Sequence, residues 1–200
     1  MPRLADHDHR RRQITDAARR VVARGGLPAA TFQSIAAEAD LSVRLVQYYF
    51  GTKDDVLRAT RQAVAADAAL HIASAVSEAA DADAADPREV IRAILLEVLP
   101  VDAARRDDSM VLNAFFFDEI TGGASDAPSR DAAGAANYLE TLVRDRIVLT
   151  GTDRRTAEID ARLIVAAASG LAQAMLADRE LAPQAGELLD RLLDRMLTHR

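Results

Sequence analysis

TFQSIAAEADLSVRLVQYYFGTK, residues 31–53, is the stretch that decides the fold. Apolar residues fall at Phe32, Ile35, Ala36 and Ala39, and again at Val43, Val46, Tyr49 and Phe50. Steps of three and four give each of two short helices a single buried stripe. Asp40-Leu41-Ser42 separates them. Asp tolerates a left-handed backbone, and Ser42 is a good N-cap for the second helix. The pattern predicts a helix-turn-helix whose second helix is offered to a DNA major groove. Its outward face would carry Arg44, Leu45, Gln47 and Tyr48. A helical hairpin buried in a bundle is the competing reading of the same spacing.

Outward from this stretch, composition narrows the class. Half of the 200 residues are apolar, and alanine, the best helix former, is abundant. With five Phe, three Tyr and no Trp, a β-rich fold is not expected. The chain has no cysteine, which excludes a disulfide framework and a thiolate metal site. No uninterrupted apolar run of about 18 residues occurs, so no membrane span is expected. The N-terminal charges are not followed by an apolar segment, so no secretory signal is expected and the cytoplasm is the predicted location. Adjacent Asp6-His7-Asp8-His9 ligands do not make a metal site on a rigid element, and residues 1–9 are read as a mobile arm.

The formal net charge is −6, but it is unevenly spread. Residues 1–61 hold 11 Lys and Arg against 7 Asp and Glu, a balance of +4; residues 62–200 hold 14 against 24, a balance of −10. A basic head on an acidic body is the asymmetry expected when only the head meets phosphate.

The periodicity predicts an all-α chain of about nine helices. A first helix covers Arg10 to Arg24 with a stripe of Ile14, Ala17, Ala18, Val21 and Val22, and Gly25-Gly26 ends it. Thr31 is the expected N-cap of the second helix. After the quoted stretch, Gly51 breaks the chain and Thr52 caps helix four, with Asp55 as its partner. Lys53, the single lysine, then sits at a helix start, the wrong end for its charge. Free N–H groups plus an ammonium suit a phosphate, although a solvated lysine fits as well. The Arg10-Arg11-Arg12 cluster poses the same choice. Helix four extends to Ala80, and residues 81–86 form an acidic link. Pro87 opens helix five and Asp102 caps helix six, which continues to Ile120. Pro128 opens helix seven, which ends near Leu149; helix eight covers 153–179, and helix nine starts at Pro183. The expected division is a DNA-binding domain with its arm over 1–52 and an effector-binding and dimerisation domain over 53–200.

RRQITDAARRVVARGG followed by TFQSIAAEADLSVRLVQYYFGTKDDVLRA resembles the DNA-binding head of TetR-family transcriptional regulators. Ile35-Ala36, the Leu41-Ser42 turn, the Tyr48-Tyr49-Phe50 triplet and Lys53 before acidic residues carry the likeness. The resemblance implies a homodimer on a palindromic operator, most often a repressor, released when a small molecule enters the C-terminal domain. Two departures are visible: Asp40 stands where the family usually has Gly, and Gln47 where it often has Tyr. The body, through LPVDAARRDDSMVLNAFF, AAASGLAQAML and ELLDRLLDRML, is more faintly similar to the BetI-like branch. Choline and betaine aldehyde are not carried over, because a quaternary ammonium calls for an aromatic cage and the body has no Trp.

Residue chemistry then assigns roles. Arg44 suits guanine and Gln47 adenine; Leu45 suits a thymine methyl, and Gln33 reaches the groove edge. Thr31, Ser42, Tyr48, Tyr49 and Lys53 suit phosphate, which sets register without reading sequence. Met110, Asn113, Phe117 and Tyr138 are the candidate effector pocket, with ordinary core packing equally open; the lining suits a largely apolar ligand. Leu163, Gly170, Leu189, Leu192, Leu193 and Met196 are the candidate dimer interface, unless those stripes face the protomer core. No glycine-rich phosphate loop, HExxH, GxSxG or acid/base constellation occurs, so no enzyme and no cofactor are expected. The remaining alternative is a helical protein-binding adaptor with a basic head.

Overall fold

In a computed structural model the backbone is described for residues 2–80, 86–121 and 130–197, and side chains for 7–79, 86–121 and 137–197. Among these residues there are nine α-helices and no strand. They are α1 (Pro2–Ala29), α2 (Phe32–Ala39), α3 (Val43–Phe50), α4 (Lys53–Ala80), α5 (Pro87–Glu97), α6 (Ala103–Ile120), α7 (Arg130–Leu149), α8 (Arg154–Ala177) and α9 (Ala185–Leu197). A 3₁₀ turn, Arg179–Gln184, precedes α9 and contains Pro183, so that helix starts two residues later than expected. Pro128 and the acidic link at 81–85 lie outside the described residues.

The largest departure from expectation is at the N-terminus. Helix begins at Pro2 rather than Arg10. Proline is tolerated in a first turn, where its missing N–H has no partner to lose. Adding turns to an existing helix also avoids the cost of nucleation. At the other end, Gly26 has φ 70° and kinks the helix, after which one more turn carries Pro28. Gly25 is needed for space, since a Cβ there would lie 2.6 Å from that of Ala29.

The helices form two compact units. The first holds residues 1–66 together with 110–128, and the second holds 67–109 and 129–200, so α4 and α6 each contribute to both. The core of the first is built by Ile14, Ala18 and Val22 of α1, Ile35 and Ala36 of α2, and Val46 and Phe50 of α3. Val56 and Val64 of α4 and Val111 of α6 complete it. Arg61 of α4, with only 15% of its side chain exposed, lies 5.8 Å from the Phe115 ring centre and 3.7 Å from Glu119. The second unit is centred on Ile91, Leu95, Leu99, Ile147, Ile164, Met175, Leu189 and Leu193. Arg88 and Arg92 of α5 reach Asp190 and Asp194 of α9 across its surface. Arg106 donates to the carbonyls of Met175 and Leu176, satisfying the end of α8.

By length and composition α8 is long and apolar enough to cross a membrane, although charged and polar residues interrupt its apolar run. The core helix of a protein in water meets the same test. One side of α8, with Ala157, Ala161, Ile164, Val165, Ala168 and Met175, is buried in the second unit.

Candidate nucleic-acid interface

Both ends of α2 and the start of α3 are fixed by local devices that the sequence dictates. Thr31 accepts a hydrogen bond from the Ser34 amide at 3.0 Å, and the Ser34 hydroxyl takes the Thr31 amide at 2.9 Å, a closed capping box. Asp40 ends α2 in the left-handed region at φ 54° and ψ 47°. Its own amide and that of Leu41 close onto Ala36 and Ala37, so the turn is hydrogen-bonded without a glycine. Ser42 caps α3 by accepting from the Leu45 amide at 3.2 Å. Thr52 caps α4, and its hydroxyl donates to Asp55 at 2.6 Å. That bond, aided by Arg58, holds the Asp55 carboxyl below its ordinary range.

The caps orient α3 so that Val46 and Phe50 point inward and Arg44, Gln47 and Tyr48 point to solvent. Tyr48 is 77% exposed, an unusual position for an aromatic side chain that serves only the fold. Leu45 and Tyr49 are half-buried beside this face. Gln33 is exposed on α2, as are the capping residues Thr31 and Ser42. The Ser42 hydroxyl proton is not used by its cap and can be donated outward. Lys53 is half-buried, and its Nζ lies 3.3 Å from the Leu27 carbonyl. It ties the turn after the α1 kink to the start of α4 as well as bringing charge to this region.

Four charged or amide side chains of α1 were not assigned by sequence reasoning. Arg20 and Arg24 both grip Glu38 of α2, the first at 2.6 Å. Arg24 and then Arg20 hold the Glu38 carboxyl below its ordinary value. Gln13 donates to the Ala39 carbonyl at 2.9 Å, and Arg11 donates to the Tyr49 carbonyl at 2.8 Å. For Arg11 the sequence leaves open a phosphate contact or a solvated basic patch, and the backbone of α3 is a third partner. The available signal was the place of Arg11 three residues before buried Ile14 and seven before buried Ala18, on the inward stripe, where a cation needs partners.

This geometry has known counterparts. Residues 14–60 match the family model of bacterial regulatory proteins, tetR family. Over these residues the head is similar to that of TetR-family regulators. The chain is 38% identical over 111 residues to the transcriptional regulator BetI of Burkholderia mallei, covering 56% of this chain and 51% of that protein. It thus spans about half the length of the curated relatives it matches. A transcriptional regulator of Rhodococcus sp. Rha1 shares the fold over 94% of this chain and 96% of its own, at 23% identity and a TM-score of 0.80. The multidrug binding protein EbrR, crystallised with malachite green, covers 92% and 97% at 28% identity and a TM-score of 0.65.

The other predicted residues divide between the two units. Met110, Asn113 and Phe117 lie on the part of α6 grouped with the head, and Tyr138 lies on α7 in the second unit. Met110, Phe117 and Tyr138 are exposed and Asn113 is half-buried. Of the three consecutive phenylalanines, Phe115 packs on the core while Phe116 and Phe117 face outward, edge to face at 6.0 Å. Leu163 and Gly170 are exposed on α8, and Leu192 and Met196 are half-buried on α9. Leu189 and Leu193 have no accessible surface, so their side chains serve the core of the second unit.

Proposed function

We propose that this chain is a ligand-responsive transcriptional regulator, most naturally a repressor, that binds a palindromic operator as a homodimer in the cytoplasm and has no catalytic role. The observation that carries the reading is the outward face of α3: Arg44, Gln47 and Tyr48 exposed together on a helix capped at its start and tied down at its end. In this reading Arg44 takes a guanine edge, Gln47 an adenine edge, Leu45 a thymine methyl, and Gln33 reaches in from α2. Thr31, Ser42, Tyr48, Tyr49 and Lys53 hold phosphates on either side. The functional division runs from a DNA-binding segment, 1–52, to an effector-binding and dimerisation segment, 53–200.

One head covers few base pairs, so two are needed, about 34–36 Å apart or a multiple of that on the duplex. The dimer surface is the uncovered side of α8, with Leu163 and Gly170, continued by Leu192 and Met196 of α9. Leu189 and Leu193 support it from beneath. Met110, Asn113 and Phe117 of α6 supply part of the effector lining. A largely apolar ligand fits them, and the likeness to EbrR, which holds malachite green, supports that class. No membrane partner enters this reading.

Selection of bound duplexes from random DNA by the full chain tests it, with sedimentation of the free protein alongside. A palindromic consensus bound with steep salt dependence, and a dimer at micromolar concentration, are expected. Weak binding without sequence preference would favour the protein-binding adaptor instead.

A further inference from the structure

One face of α1 grips the last turn of α3 in three ways. The His7 ring stands 4.9 Å from the Tyr49 ring, tilted by 49°. One turn further along α1, the Arg11 guanidinium donates to the Tyr49 carbonyl at 2.8 Å and lies 4.1 Å from the Phe50 ring centre. Residues four apart on a helix share a face, so both contacts come from a single edge of α1. Gln13 does for α2 what Arg11 does for α3, donating to the Ala39 carbonyl near the end of that helix.

Carbonyls in the last turn of a helix lack partners within it, and the partial negative charge there favours a cation. Arg11 meets both needs while its planar face covers an aromatic ring. Ser42 fixes the opposite end of α3 by a separate device. The two ends of the helix are therefore held independently. Arg44 lies two residues from the Ser42 end, and Gln47 and Tyr48 lie within two residues of the Arg11 end.

We infer that Arg11 is a positioning residue that sets the pose of the C-terminal half of α3, and with it the base preference read by Gln47, without itself contacting DNA. His7 and Gln13 assist it, the first at the Tyr49 ring and the second by fixing α2. The inference rests on the base-reading role proposed for α3, and it separates Arg11 from the phosphate-binding reading of the Arg10-Arg11-Arg12 cluster.

The test uses the full chain on the duplex selected from random DNA, with single-base changes at the positions that Gln47→Ala and Arg44→Ala relax. Those two variants test base reading itself; Arg11→Met tests the clamp. Discrimination at the Gln47 base is expected to fall about tenfold, the size of a modest bidentate contact, while discrimination at the Arg44 base stays within about twofold. The salt dependence should be unchanged, whereas a lost phosphate contact lowers the slope by about 0.9. Arg11→Lys, which keeps the donor and the charge, should restore most of the preference. Uniform weakening with a shallower salt slope would overturn the inference, as would a fully preserved preference. If Arg11→Met does not fold, His7→Ala carries the test. A smaller loss confined to the Gln47 base supports the clamp, and no loss there overturns it.

Discussion

Helices α3 and α8 each leave one side uncovered, and the two sides have opposite chemistry. On α3 the uncovered residues are Arg44, Gln47 and Tyr48. On α8 they include an apolar strip, Ile159, Leu163, Ala166, Ala167, Gly170 and Ala174, bordered by exposed Arg155, Arg162, Ser169 and Gln173. Ile159 and Leu163 are 52% and 53% exposed, and open space surrounds Gly170. Polar forks and a phenol suit a groove lined with donors and acceptors. An apolar strip of mostly small side chains suits the close approach of another helix. The helices are also supported differently. α3 has eight residues and is held at its ends by Ser42 and Arg11, while α8 has 24 and is held along its length by core packing. A short helix gains little from its own hydrogen bonds, so the recognition face depends on end contacts that a long helix can do without.

If the contrast holds, changing one surface should leave the other intact. The largest effect is expected from Leu163→Asp. Burying a leucine contributes about 1.5–3 kcal/mol, and a two-fold interface counts it twice. Sedimentation should show the variant as a monomer at concentrations where the parent is a dimer, with helical content retained. An unchanged dimer would remove α8 from the interface. Next, Arg44→Ala should cost about 1–3 kcal/mol in operator binding and relax one base position, with self-association untouched. Titration against operator variants checks this, and equal weakening on all of them would deny Arg44 a base-reading role.

Ser42→Ala should cost about 0.5–2 kcal/mol of head stability through the lost cap. Denaturant unfolding reads that loss, and an unchanged midpoint would mean that α3 is held by its other contacts alone. The smallest effect is expected at Glu38, which is exposed enough for solvent to weaken its pairs. Its carboxyl is depressed by Arg24 and Arg20, so the folded head holds that proton less tightly than the unfolded chain. The stabilisation is present above the ordinary value of 4.5 and is lost as pH falls through the lower folded value. Glu38→Gln should melt below the parent at neutral pH, and the gap should close on acidification. A gap that widens in acid would reverse the assignment.

Much of the candidate interface was legible because its signals are local. The Thr31 and Ser42 caps, the left-handed Asp40 and the outward position of Arg44, Gln47 and Tyr48 follow from spacing and backbone preference within a few residues. Arg11 and Gln13 were not legible in role, since their partners lie 38 and 26 residues away. The same holds for Leu189 and Leu193. A wide apolar stripe on α9 does not say which of its leucines points inward, and only packing against α5 and α8 chooses.

The sequence by itself determined the helices, their caps, the helix-turn-helix and the residues on its outer face, because a period of 3.6 and the chemistry of helix ends act over short range. Tertiary structure alone decided which cations bind backbone and which remain outward, and which leucines are core. Those outcomes depend on what a distant segment brings within hydrogen-bonding or van der Waals reach, and no local periodicity records that.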